Sequence, residues 1–238
     1  MRIHRPESKI MTIGSPWMRI ESGKASGAVD WWLAGGISAA NCIAAYQAKG
    51  AASLAASYVN LANPGTYDAA PGVAPTWVSG TGWTFNGSNQ YLETGIVPDN
   101  DQSWSVFCQF DNGALNLLRS LIALDDGSGK QFILRHYQSD KTVYGNGSFV
   151  FVASPIASGN LGISGNQGYK NGISDGLPIA AGAGSIAEDL DLYIAAQRQQ
   201  HGSGVDAYFS GDIVSVSIYN IVLSVSQITA VTNAMAAL

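Results

Sequence analysis

Between residues 209 and 228 the chain reads Phe-Ser-Gly-Asp-Ile-Val-Ser-Val-Ser-Ile-Tyr-Asn-Ile-Val-Leu-Ser-Val-Ser-Gln-Ile. Val214, Val216 and Ile218 alternate with Ser215 and Ser217, the period of two that marks a half-buried strand. Gly211 admits the chain to that strand at a turn, and Leu223 ends the extended segment. Ser224 and Gln227 then stand at the spacing of a capping box. Ile228, Val231, Met235 and Leu238 recur near helical spacing, which predicts a short helix laying one apolar stripe on the rest of the molecule.

Similar short apolar runs, broken by turn clusters, fill the preceding residues. They predict strands over 42–46, 104–110, 117–124, 131–137, 148–153, 160–164 and 190–195, with a turn of helix within the Ala-rich 50–56. Residues 61–74, rich in Gly, Pro and Asn, read as a loop. Trp83-Thr-Phe-Asn-Gly-Ser-Asn-Gln-Tyr-Leu-Glu-Thr-Gly95 reads as a hairpin with Asn86-Gly87 at its tip, because both residues tolerate the left-handed backbone of a type I′ turn. Turn clusters at 125–129, 166–168 and 171–172 separate the later strands. Many short strands at such spacing point to a two-sheet sandwich. Residues 1–36 differ: basic residues, Pro6, Pro16 and glycines occur there without sustained period. They read as an arm or linker ahead of a sandwich domain over 37–238, with Trp17, Trp31 and Trp32 expected to dock either onto the domain or onto a neighbouring chain, the latter if the arm anchors the sandwich in an assembly.

Composition narrows the picture. Charged residues make up 12% of the chain and the net charge is −5, with no basic stripe, so nucleic acid is excluded as a partner. Mean hydropathy is +0.09, yet no run approaches the roughly 18 apolar residues of a membrane span. Arg2, Arg5 and Lys9 are not followed by the apolar stretch of a secretory signal, so synthesis in the cytoplasm without a signal peptide is expected. Cys42 and Cys108 read as buried thiols, a disulfide between them being the alternative.

The strand at 209–228 resembles the closing strand of the laminin-G-like, concanavalin-A-like superfamily, with the pattern F-x-G-x-I-x-x-V-x-I-Y-N-x-x-L-S-x-x-Q-I. Trp83-x-Phe85-x-Gly87 with Tyr91-Leu92, and Tyr169-Lys-Asn-Gly172, fall in the family's order, so the resemblance spans 37–238. It implies an all-β fold: a two-sheet antiparallel jelly-roll sandwich with a short C-terminal helix. The loop Asn60-Leu-Ala-Asn-Pro-Gly-Thr-Tyr67 resembles phage- and prophage-encoded members. From these likenesses we expect a non-enzymatic structural or surface-display protein on a virion surface (a decoration, fibre or adhesion module), partnered by other virion proteins or by itself and binding cell-surface glycans. A stand-alone carbohydrate-binding lectin module is the alternative.

Three sets of residues bear on chemistry. Glucan-cleaving relatives carry Glu-x-Asp-x-Glu on one strand, and a retaining pair of carboxyls stands about 5 Å apart. Here Glu188-Asp189-Leu190-Asp191 comes nearest, but Tyr193 occupies the place of the last acid, and we expect no catalytic residue. Asp125 and Asp126, and the loop acids Asp99 and Asp101, are oxygen donors of the type calcium takes, and also of the type that caps its own turn. For sugar, Trp77, Trp83, Tyr91, Tyr144 and Tyr169 offer aromatic faces, with Asn89, Gln90 and Asn171 as polar partners. Residues 144–147 and 197–202 read as solvent-facing loops, which makes Tyr144, Asn146, Tyr169 and Asn171 the favoured glycan contacts.

Overall fold

The computed structural model describes residues 30–98, 102–127, 130–181, 190–199 and 204–238. Trp17, the loop acids Asp99 and Asp101, and Glu188 with Asp189 lie outside them. In chain order the elements are β1 (Cys42–Gln47), the helical turn α1 (Leu54–Ser57), β2 (Ala70–Val73), β3 (Thr76–Val78), β4 (Gly82–Asn86), β5 (Tyr91–Glu93), β6 (Ser105–Asp111) and β7 (Arg119–Asp125). There follow β8 (Gln131–Gln138), β9 (Lys141–Asn146), β10 (Ser148–Ala153), β11 (Gly159–Ser164), β12 (Gln167–Lys170) and β13 (Ile173–Ser174). The last are β14 (Tyr193–Ile194), β15 (Gln197–Gln199), β16 (Val205–Asp206), β17 (Ser210–Tyr219) and α2 (Val225–Ala236).

One sheet runs β13-β12-β11-β6-β17-β4-β3, with β1 also paired to β17; we term it sheet A. Sheet B runs β10-β9-β8-β7-β14-β5-β2, with β15 on β7 and β16 on β15. Among the described strands the pairing is antiparallel except where β15 lies beside β7. This is the two-sheet jelly-roll sandwich that the strand pattern implies.

The main core lies between the sheets and includes Tyr46, Trp83, Phe85, Leu92, Phe110, Leu124, Phe132, Ile163 and Phe209. Strand β17 enters it through Ile213, Val216 and Ile218. A register shift between Ile213 and Ser215 against β6 takes Val214 out of the expected alternation. The strand is not half-buried as expected, because Ser215 and Ser217 on its other face are fully buried as well. The cause is a third layer. Helix α2, started by a Ser224–Gln227 capping box, packs Ile228, Val231 and Met235 into a second core with Cys42, Ala45, Phe107, Tyr169, Tyr219 and Leu223.

Of the two dockings expected for Trp31 and Trp32, the one onto the domain is seen and not the one onto another chain: both close this second core. The two rings pack edge to face at 5.5 Å, Trp31 Nε1 donates to Gln47 Oε1 at 3.0 Å, and the Trp32 carbonyl accepts from Tyr219 Oη at 2.9 Å. The disulfide alternative fails: Cys42 and Cys108 are both free thiols, one in each core. Burial pushes the Cys42 thiol up to about 12 and raises that of Cys108 as well.

The expected hairpin at 83–95 is not one. Strand β4 belongs to sheet A and β5 to sheet B, so the turn between them carries the chain across the sandwich. Gly87 adopts φ +72°, and Asn86 Oδ1 accepts from the Ser88 amide at 2.9 Å, so the turn chemistry is as expected although the two strands do not pair.

Candidate functional site

An open concavity of about 670 Å³ lies at the β2–β5 end of sheet B and is lined by Gly65, Tyr67, Asp68, Glu93, Thr94 and Asp191 among others. Its floor is built by the loop after α1. Asn60 is fully buried, and its amide oxygen accepts from the backbone of Ala45, Ala62 and Asn63, while its amide nitrogen donates to the carbonyls of Ile43 and Thr66. Asn63 Nδ2 adds bonds to the Cys42 and Ile43 carbonyls, both at 3.0 Å. Asp68 Oδ1 closes the loop by accepting from the Asn60 and Gly65 amides at 2.8 and 3.1 Å. These polar side chains do for an irregular segment what a ladder does for a strand: they pair its backbone groups.

The loop presents Tyr67 at φ +58°, with its carbonyl held by Tyr46 Oη at 2.6 Å. Its ring is 45% exposed, unusual for a large side chain at the wall of a cleft. A non-glycine residue in the left-handed region costs on the order of 1 kcal/mol, so the surrounding bonds fix this placement. Opposite, Asp191 Oδ2 accepts from the amides of Gly95 at 2.8 Å and Thr94 at 3.2 Å. Burial raises the Asp191 pKa, and the same amides together with Arg198 oppose that rise.

Glu93 joins the cleft to a row of tyrosines. Tyr193 lies opposite Glu93 across the β14–β5 pair, and its ring stacks on Tyr91 at 4.9 Å and 18°. Tyr208 lies on the other side of Tyr91 at 6.3 Å. Gly72 of β2 is required here, because a Cβ would collide with the Tyr91 ring. The Arg198 guanidinium sits 5.4 Å from the centre of the Tyr193 ring and donates to its hydroxyl at 3.0 Å. The site therefore combines an exposed aromatic residue, three carboxylates and two partly exposed tyrosines, Tyr91 and Tyr208, resting on the buried Tyr193. Such a surface can stack against an apolar ring face while accepting hydrogen bonds from hydroxyls.

The residues favoured from the sequence lie elsewhere. Tyr144 is 1% exposed, in the inter-sheet core, and donates to Asp175 Oδ2 at 2.8 Å. Asn146 is fully buried and holds the Gly165 carbonyl through Nδ2 at 3.0 Å. Tyr169 packs under α2 against Phe107. Asn171 is exposed, in the β12–β13 turn at φ +49°, where Oδ1 accepts from the Asn160 amide. Of residues 144–147, expected as a loop, the first three end strand β9: Gly145 does not break the strand but leaves room for Ile133 and Phe149, whose Cβ atoms lie 3.2 and 3.4 Å from where its own Cβ would be.

Asp125 Oδ1 accepts from the Gly127 amide, its Oδ2 from Gln197 Nε2, and Asp126 Oδ1 from the Lys130 amide. Both carboxylates thus act as turn caps, and among the described residues no group of three or more His, Cys, Asp or Glu is arranged to hold a metal ion. No helix among the described residues is long and apolar enough to cross a membrane.

No family model matches the chain, and no curated protein sequence matches it. Solved structures do. The Trypanosoma rangeli sialidase in complex with 2,3-difluorosialic acid superposes with a TM-score of 0.57 at 17% identity, over 83% of this chain and 33% of the sialidase. The same sialidase with sialic acid gives 0.55 at 17% identity, over 82% and 33%. Domain 4 of AbnA, a GH43 extracellular arabinanase from Geobacillus stearothermophilus, in complex with arabinotriose, gives 0.52 at 16% identity, over 81% of this chain and 98% of that domain. The chain thus spans about a third of the sialidases it matches. The shared property is the fold, a β-sandwich related to concanavalin-A-like jelly rolls. These matches overturn the sequence-based exclusion of enzymes. Sialidases and an arabinanase carry this sandwich, so a missing Glu-x-Asp-x-Glu strand does not set the chain apart from enzymes.

Proposed function

We propose that this sandwich recognises carbohydrate at the cleft of Tyr67, Asp68, Glu93 and Asp191, with the partly exposed Tyr91 and Tyr208, braced by the buried Tyr193, extending the binding surface. The observation that carries the reading is Tyr67: an exposed aromatic residue, held by its loop in an unfavourable backbone region, lining an open cleft together with Asp68, Glu93 and Asp191. Domain 4 of the arabinanase, which the chain matches over nearly all of that domain, holds arabinotriose. The cleft favours neutral sugars, because the carboxylate of an acidic sugar would meet Asp68, Glu93 and Asp191. The display role on a virion that the sequence suggests rests on the resemblance of residues 60–67, and that loop is the one that shapes the cleft.

A glycan array followed by calorimetry tests this. Neutral oligosaccharides should bind and sialylated ones should not. Tyr67→Ala should weaken the best ligand by roughly tenfold, about 1.4 kcal/mol. Silence across the array, or full affinity in Tyr67→Ala, would refute the assignment.

A further inference from the structure

Strand β10 is one edge of sheet B; among the described strands it pairs with β9 alone, and the Ser148 amide at its start donates to the Ala180 carbonyl at 3.3 Å. Its six residues, Ser-Phe-Val-Phe-Val-Ala, contain no charge, proline or glycine. Val150 and Val152 pack inward on the main core, whereas Phe149 and Phe151 point outward, 46% and 42% exposed and edge to face at 5.2 Å.

The other sheet edges are guarded, that of β1 by the Asn60 and Asn63 side chains and the Leu61 amide, which bond its backbone. Strand β2 carries Pro71 and Gly72, β3 has three residues and follows Pro75, β16 is two residues ending in Asp206, and β13 is two residues beside the 3.1 Å Lys170–Asp175 ion pair. Short length, proline and charge are the usual devices against edge pairing, and β10 has none of them.

We infer that β10 pairs antiparallel with β10 of a second copy of this chain, joining the two B sheets across a two-fold axis. An extended edge offers a row of backbone donors and acceptors that another extended strand satisfies. In a two-fold antiparallel pair, Phe149 and Phe151 of one copy meet those of the other on the outer face. On the opposite side Gly176 lies against Val150 and Val152, which places the neighbouring Leu177, 75% exposed, beside the same edge. Ile173, 72% exposed on β13, pairs with Lys170, whose ammonium reaches the Ser154 carbonyl just past β10, so it borders the same side of the sandwich. Taking roughly 200 Å² for a whole large side chain, these four leave on the order of 450 Å² uncovered per copy. Two copies, with their backbone edges, approach the roughly 1,200 Å² at which stable interfaces begin. With no charged residue in β10, pairing opposes no like charges along the seam.

Sedimentation velocity on the full chain over a range of concentrations should show a species of twice the 24.9 kDa monomer mass. Phe149→Lys with Phe151→Lys should be monomeric with an unchanged near-UV spectrum, while Val78→Lys, on the β3 edge, stays dimeric. Amide exchange in β10 of the unmodified chain should slow at least tenfold as concentration rises; should the double variant not fold, this measurement decides alone. A monomer at every concentration, a dimer that survives both lysines, or β10 exchange indifferent to concentration would each overturn the proposal.

Discussion

The two outer faces of the sandwich are treated in opposite ways. On sheet A, helix α2 and the turn at Trp31–Leu33 lay a third layer over β17 and β6, and even the serines of β17 are dry beneath it. On sheet B the outer surface includes the partly exposed Tyr91 and Tyr208 and ends in an open cleft. The lesson lies in side-chain size. Small serines under α2 let a helix approach the sheet closely, whereas on sheet B tyrosines rest on one another and form a surface of their own. A sheet with one face sealed has its other face free for recognition.

Breaking the sealed face should have the largest effect. Val231→Asp places an unpaired charge in the second core and should cost about 4 kcal/mol in urea unfolding. Loss of α2 helicity at low urea, while the main core persists, would show the two cores to unfold as separate units. A loss under about 1 kcal/mol would mean that the layer is not a true core.

Beneath sheet B, His136 sharpens the contrast. It is fully buried against Phe110 and Phe209, and burial pushes its pKa down to about 4 from the ordinary 6.5. Above about pH 6.5 the residue is neutral folded and unfolded alike and adds no pH dependence. Below it the unfolded chain takes the proton first, so stability falls with pH until the folded form also protonates near pH 4. The loss over that window should be about 3 kcal/mol, and His136→Phe should abolish it in melts from pH 7 to 4. An unchanged slope in the variant would place the acid sensitivity elsewhere.

The open face should respond least. Tyr67→Ala should change unfolding free energy by no more than about 0.5 kcal/mol, because the ring makes few core contacts. A loss above 2 kcal/mol would reassign Tyr67 from recognition to support.

The sequence was most legible where local chemistry and tertiary role coincide. The capping box at Ser224 and the stripe Ile228–Val231–Met235 appear as read, and a strand forms over 210–219, though not half-buried. Alternation, however, reveals which residues share a face and not what covers it, so Ser215 and Ser217 looked solvated. Asn86-Gly87 shows that the chain can turn there; whether the flanking strands then pair depends on distant partners such as Ile213 opposite Trp83. Tyr144 and Asn146 looked exposed because Gly145 and Gly147 resemble loop punctuation. The cleft was hidden for a different reason. Residues 65–70, 93–97 and 191 meet only after two sheets have formed, and no local pattern links them. The polar run Asn60, Asn63 and Asp68 was its one local sign.

Strand β17 also orders events during synthesis. It lies between β6 on one side and β4 followed by β1 on the other, so it joins segments the ribosome has already made. Until residues 210–219 emerge, β1 and β4 have no central partner and their apolar faces await cover, which favours delayed, all-at-once closure of sheet A and exposes the nascent chain to chaperones. A ribosome stall within β17 would therefore leave β1, β4 and β6 as separate unsatisfied edges, however complete sheet B had become.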